Sequence, residues 1–108
     1  MTDLEIANEI LRQIGGNKFI AMTGAKNLVA GPSSLSFKLP NNFAKDGINH
    51  VAIALKPNDL YDIAYSRLWG TKFAPLYNST DLYCDMLTSD FTAITGLDCS
   101  MGNLLRGA

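Results

Sequence analysis

Between residues 48 and 77 the chain reads INHVAIALKPNDLYDIAYSRLWGTKFAPLY, and this stretch limits the fold more than any other. Val51, Ile53 and Leu55 alternate with His50, Ala52 and Ala54, the period-2 pattern of a strand with one buried face. The KPND segment then reverses the chain, because Pro57 fixes φ and Asn58 and Asp59 bond locally to the backbone. Tyr61, Ile63 and Tyr65 resume the alternation, and Trp69 and Gly70 end it before a third strand toward Tyr77. Strand, turn, strand, turn, strand predicts an antiparallel sheet that the flanking sequence must cover.

The flanks supply that cover. A helix is predicted over 2–14: Thr2 and Glu5 form a T-x-x-E capping box, Met1 and Ile6 are placed to staple across it, and Leu4, Ala7, Ile10, Leu11 and Ile14 recur at three- and four-residue spacing. Gly15 and Gly16 stop it. Residues 18–23 (KFIAMT) read as a first strand, GAKN as a reversal before a short segment at 28–30, and GPSS as a turn. Leu35, Phe37 and Leu39 then alternate with Ser34, Ser36 and Lys38 in a strand ended by Pro40. A second helix is predicted from the NSTD run, with its several N-cap candidates, to Thr95, with Gly96 as C-cap. Tyr83, Leu87, Phe91 and Ile94 share one face of it, while Leu82, Met86, Ser89 and Ala93 fall on another side that is a candidate partner surface. The fold class is therefore α+β, an antiparallel sheet of about five to six strands flanked by an N-terminal and a C-terminal helix on one face. It forms a single domain over 1–108, of which 97–108 reads as a partly ordered tail.

Charge is unevenly spread. The chain has a formal charge of -1 and only 18% charged residues, so part of its surface is expected to be covered by a partner or a second copy. Between residues 16 and 78, seven basic residues (Lys18, Lys26, Lys38, Lys45, Lys56, Arg67, Lys72) face three acidic ones (Asp46, Asp59, Asp62), while both termini are acidic. Cys84 and Cys99 fit neither a zinc pattern nor a disulfide scaffold and are expected as free thiols. No segment resembles a signal peptide and no apolar run reaches the roughly 18 residues of a membrane span, which predicts a soluble cytoplasmic protein.

Catalytic constellations are hard to assemble from these residues. His50 is the only histidine and sits on an alternating strand, where a half-buried structural role is the plain reading. Asp59 and Asp62 suit a turn better than a cation site, and Asp81 and Asp85, four apart on the second helix, suit a solvated face. MTGAK at 22–26 lacks the spacing of a phosphate-binding loop, which leaves Gly24 a conformational role. The reading is a protein that is not an enzyme and that uses no metal or cofactor. More suggestive are Phe19, Phe37, Tyr61, Tyr65, Trp69, Phe73 and Tyr77, interleaved on strands with Lys18, Lys38, Arg67 and Lys72. Aromatics beside cations on a sheet can stack single-stranded bases and neutralise phosphates. Phe37 belongs with the core residues Leu35 and Leu39, whereas Tyr61, Tyr65, Arg67 and Trp69 share a face that is a binding platform, a dimer interface or core.

The strings LRQIGGNKFIAMTGAK, LSFKLP, INHVAIAL, NDLYDIAY and DFTAITGL, spread from Leu11 to Leu97, resemble a group of small proteins encoded by bacteriophages and bacterial mobile elements. Where that group has a shorter basic Arg-Gly type ending, this chain has Arg67, Leu68, Trp69 and Gly70. The resemblance carries over no catalytic residues. It implies a small accessory protein in the bacterial cytosol that binds a host or phage macromolecule. By analogy with anti-CRISPR proteins, a host defence complex comes first, and a protein partner ranks ahead of nucleic acid. The contact candidates are Leu82 and Met86 or the Tyr61, Tyr65 and Trp69 face for a protein, and Tyr65, Arg67, Trp69 and Lys72 for a nucleic acid. A homodimer is compatible with either.

Overall fold

A computed structural model describes residues 2–41 and 43–97. The capping box sets the start of α1, Asp3–Ile14: the Thr2 hydroxyl accepts from the Glu5 N–H at 3.1 Å, and the Glu5 carboxylate accepts from the Thr2 N–H at 3.0 Å. Ile6, Ala7, Ile10 and Ile14 form its buried stripe. Met1, the expected staple residue, lies outside the described residues.

The expected strand at 18–23 is instead a helix, α2, Gly16–Thr23. Gly15, at φ 123, turns the chain between the two helices. Phe19 and Thr23, four residues apart, are both fully buried with Ile20 packed beside them, so the apolar spacing is helical although the residue types favour strand. The Thr23 hydroxyl donates back to the Phe19 carbonyl at 2.7 Å, which satisfies it inside the core. Gly24, at φ 72, closes the helix, and a Cβ there would lie 2.9 Å from Pro40 Cγ. Gly24 thus has the conformational role expected of it.

Five strands follow: β1 (Lys26–Gly31), β2 (Ser34–Lys38), β3 (His50–Leu55), β4 (Tyr61–Trp69) and β5 (Lys72–Leu82). They form one antiparallel meander in the order β1-β2-β3-β4-β5, so the α+β class holds with five strands. The β3–β4 reversal is an Asx turn made by Asn58, whose side chain accepts from the Leu60 N–H at 3.1 Å, while Asp59 takes φ 65. Leu35, Phe37, Val51, Ile53, Tyr61, Ile63 and Tyr65 are all buried and all lie on one face by alternation. There they join Ile6, Ile10 and Ile14 of α1, Phe19 of α2 and Leu87 and Phe91 of the C-terminal helix in a single core. Phe19 meets Phe37 and Phe91 edge-on, with ring centroids 5.3 and 5.0 Å apart. The opposite face presents Ser34, Ser36, Ala52, Ala54 and Ala64, at least partly open to solvent.

The C-terminal helix is shorter than its sequence pattern suggests. β5 absorbs the NSTD run, a 3-10 turn spans Cys84–Met86, and α3 covers only Leu87–Thr95, ending at Gly96 with φ 76. Two polar residues of that run, Ser79 and Asp81, find partners in the sheet, its turns and α3. The Asp81 N–H donates to Asp62 at 3.1 Å, the Asp81 carboxylate holds the Lys56 ammonium, and the Ser79 hydroxyl donates to Asp90 at 2.9 Å. Ser79 and Asp81 are thereby held away from capping a helix at that point. Leu82 accordingly ends β5 with its side chain buried, whereas Met86 is exposed on the 3-10 turn, so the two do not form the shared helix side expected of them. Asp81 and Asp85 likewise share no helix face. Leu97 packs against the core; the rest of the expected tail, with Cys99, lies outside the described residues. Among the described residues no helix is long and apolar enough to cross a membrane.

Candidate nucleic-acid interface

A five-stranded meander gathers alternate loops at each end, and here the two ends differ in charge. One end collects the start of β1, the end of β2, the start of β3 and the β4–β5 turn. Along it Lys26 pairs with Lys38, Lys38 with His50, His50 with Ser66, and Trp69 with Lys72. The other end holds Asp59, Asp62 and Asp81, with Lys56 bonded to Asp81 and 3.5 Å from Asp62. Asp3 also lies there, accepting from the Ser33 N–H of the β1–β2 turn at 3.0 Å.

The cationic end is concave. A depression of about 590 Å³ is lined by Lys26, Lys38, Arg67 and Lys72, by the neutral polar residues Asn27, Asn41, Asn49 and Thr71, and by Leu39, Leu68 and Trp69, with Gly47 and Gly70. Its lining contains no carboxylate. All four cationic side chains are exposed, and among the described residues none of them takes part in a salt bridge. Asp46, the nearest acid in sequence, is engaged by the Tyr77 hydroxyl. That contact, with the carboxylate charge, raises the Tyr77 pKa.

The floor is built by Asn49, a buried residue just before β3. Its side-chain amide donates to the Leu68 carbonyl at 2.7 Å and to Asn41 at 3.0 Å, and its oxygen accepts from the Leu68 N–H at 2.7 Å. Its own N–H donates to Ser66 at 3.0 Å, and its carbonyl accepts from Leu39 at 2.9 Å. One residue therefore ties the ends of β2, β3 and β4 together beneath the depression.

The wall is Arg67 and Trp69. The guanidinium carbon of Arg67 sits 5.1 Å from the Trp69 ring centroid, a cation–π arrangement. Its aliphatic stem runs over Gly47, where a Cβ would approach Arg67 Cδ to 3.2 Å and where φ is 75. A side chain at 47 would crowd the arginine stem and strain the backbone at that positive φ. Trp69 remains 44% exposed, enough ring to meet a ligand.

His50 stands next to this site, half-buried between Lys38 and Ser66 and edge-on to the Phe73 ring at 6.2 Å. Burial, and then the neighbouring Lys38 charge, push its pKa below the usual histidine value. It is therefore neutral near pH 7.

The structure brings three of the seven sequence candidates together here: Arg67, Trp69 and Lys72. Tyr61 and Tyr65 share their face by alternation but lie under the helices, 5% and 0% exposed, and Tyr65 donates its hydroxyl to Asp90 of α3 at 2.7 Å. Those two are core, not platform. Of the other aromatics, Phe19 and Phe37 are core as well, while Phe73 and Tyr77 are exposed on β5. Sequence reasoning missed Lys26, Asn41 and Asn49 as site residues; the excess of cations over acids in 16–78 was their only signal.

A second cleft, of about 310 Å³, lies at the acidic end between α1, the β3–β4 turn and the 3-10 turn. Ile6, Leu55, Tyr61, Tyr83 and Cys84 line it together with the polar residues Glu9, Gln13 and Asp59. Burial raises the Tyr61 pKa there. Among the described residues no group of three His, Cys, Asp or Glu side chains is placed to hold a metal ion.

No family model, curated protein or solved structure matches the chain. Fold and site together describe a small α+β protein with a cationic, aromatic-walled depression at one end of its sheet.

Proposed function

We propose that this protein is a non-enzymatic nucleic-acid-binding protein whose interface is the depression walled by Arg67 and Trp69. The observation that carries this reading is the set of four exposed cations around one concavity with no carboxylate in its lining. Phosphate neutralisation by lysine and arginine supplies most of the affinity of such interfaces and makes it fall with salt. The sequence resemblance put a protein partner first; the burial of Tyr61, Tyr65 and Leu82 removes three of its five contact candidates, and the clustering of cations favours the rival.

Trp69 is the only tryptophan, so its fluorescence reports on the site directly. Titration with single-stranded and double-stranded DNA and RNA in turn, at low and moderate salt, is expected to quench it with at least one of them, less so as salt rises, and Arg67→Ala is expected to weaken the response. Absence of any quenching at low salt overturns the reading.

One observation favours a second reading. Tyr83 is 63% exposed at the cleft of the opposite end, beside Ile6, Leu55 and Tyr61, a surface suited to a protein partner. A host defence complex as that partner, like the phage or mobile-element setting itself, rests on the sequence resemblance alone.

A further inference from the structure

The pairing of Lys26 with Lys38 is unfavourable as it stands. Residues directly opposite on antiparallel strands bring their Cα atoms to about 4.5–5.5 Å, and like charges placed so destabilise the pair. Next along the same row is His50, whose protonation Lys38 opposes. No acid relieves the pair: both lysines are exposed, and no carboxylate lines the depression they border. An anion seated between them removes the repulsion.

Across the depression stands Trp69. Arg67 lies against its ring, and the exposed remainder is presented beside Lys72, its partner across the turn. This wall offers a flat π surface flanked by charge, and Asn27, Asn41 and Thr71 add amide and hydroxyl groups to the lining. The volume of about 590 Å³ is that of a pocket for a small-molecule-sized unit, not of a surface that tracks a helix.

Resting on the nucleic-acid reading, we infer that the depression takes single-stranded nucleic acid, with an unpaired base stacked on Trp69 and its phosphates held by the Lys26–Lys38 pair and by Arg67 and Lys72. A duplex buries its base faces in its own stack, where a surface indole does not reach them, whereas an unpaired base turns its face outward. Every base has a π face to stack, which makes the site tolerant of sequence.

The test measures binding of four labelled probes of equal length by anisotropy: an oligodeoxyuridylate, an oligouridylate, an abasic sugar-phosphate oligomer and a duplex. The expected result is that the tighter of the two base-bearing single strands, which names the sugar the site accepts, binds roughly 5- to 150-fold better than the abasic oligomer, the range of one stacked base. Trp69→Ala is expected to erase that advantage and Trp69→Phe to keep part of it, with circular dichroism verifying that both variants fold. Lys26→Gln and Lys38→Gln are each expected to lower the magnitude of the salt slope by about 0.7. Equal binding of abasic and base-bearing strands, or a preference for duplex, with Arg67→Ala still weakening every probe, overturns the single-strand inference and leaves the nucleic-acid reading standing. No binding of any probe at low salt overturns both.

Discussion

The side chain of Asn49 pairs with the backbone of Leu68 as a strand residue would, giving a hydrogen bond to its carbonyl and taking one from its N–H, each at 2.7 Å. The β3–β4 ladder is thereby carried past the first residue of β3 by an amide side chain, and the floor of the cationic depression is fixed by it. Asn49→Ala leaves both Leu68 groups and the Asn41 oxygen without this partner, and a loss of about 1–3 kcal/mol is expected. Urea unfolding is expected to show a lower midpoint at unchanged m-value. Asn49→Asp keeps the shape but loses the donor toward the Leu68 carbonyl, and is expected to destabilise as well.

Asp90 anchors α3 to the sheet through two hydroxyls, those of Tyr65 and Ser79. Tyr65 is fully buried, so Tyr65→Phe keeps the ring packing and removes a hydrogen bond to a carboxylate, a loss of about 1–3 kcal/mol. Hydrogen exchange is expected to quicken first in α3, because the bond that is lost joins that helix to β4.

The phenylalanine cluster sets the scale for the core. Phe91 is 1% exposed and edge-on to Phe19, so Phe91→Ala is expected to cost about 3–5 kcal/mol. Leu11 has the same helical periodicity in sequence but is only partly buried, and Leu11→Ala is expected to cost less. Equal midpoints for the two variants would contradict this packing.

Alternation made β2, β3 and β4 legible, because a sheet covered on one side writes its burial into every second residue, as at Leu35, Phe37, Val51, Ile53 and Ile63. The same rule put Tyr61, Tyr65, Arg67 and Trp69 on one face without saying how far the helices reach along it. They cover the first two and leave the last two open, so half of that platform is core. α2 was hidden because Phe19, Ile20 and Thr23 are residue types common in strands and a two-turn helix gives too few repeats to show its period. The start of α3 was misplaced because Ser79 and Asp81 look like caps until their partners, Asp90, Lys56 and Asp62, are seen. Those partners are distant in sequence, which is also why Lys26 and Lys38 were not recognised as neighbours.

Stability is expected to depend on pH through His50. Its folded pKa is lowered by burial and by Lys38, so below the unfolded value of about 6.5 the unfolded chain binds a proton more readily than the folded one. The contribution is present above that pH and is lost as pH falls through the lowered folded pKa. His50→Gln is expected to flatten the pH profile of the denaturation midpoint in that window. An anion bound beside Lys38 removes one of the two causes, so the His50 pKa, followed by NMR, is expected to rise when the depression is filled.

Lys56 gives the sharpest control on charge. It is a cation like Arg67, but it lies at the opposite end of the sheet, bonded to Asp81 and near Asp62, and the Asp81 contact, the largest of several causes, raises its pKa. Arg67 has no such partner among the described residues and lines the depression. Binding that depends on overall charge alone treats the two alike. Binding at the depression does not: Arg67→Gln is expected to weaken single-strand affinity and to lower the magnitude of the salt slope by about 0.7, whereas Lys56→Gln leaves both near the parent values. Equal losses in the two variants would mean that the cations act through the field of the whole protein and not through the site that Asn49 and Leu68 hold in shape.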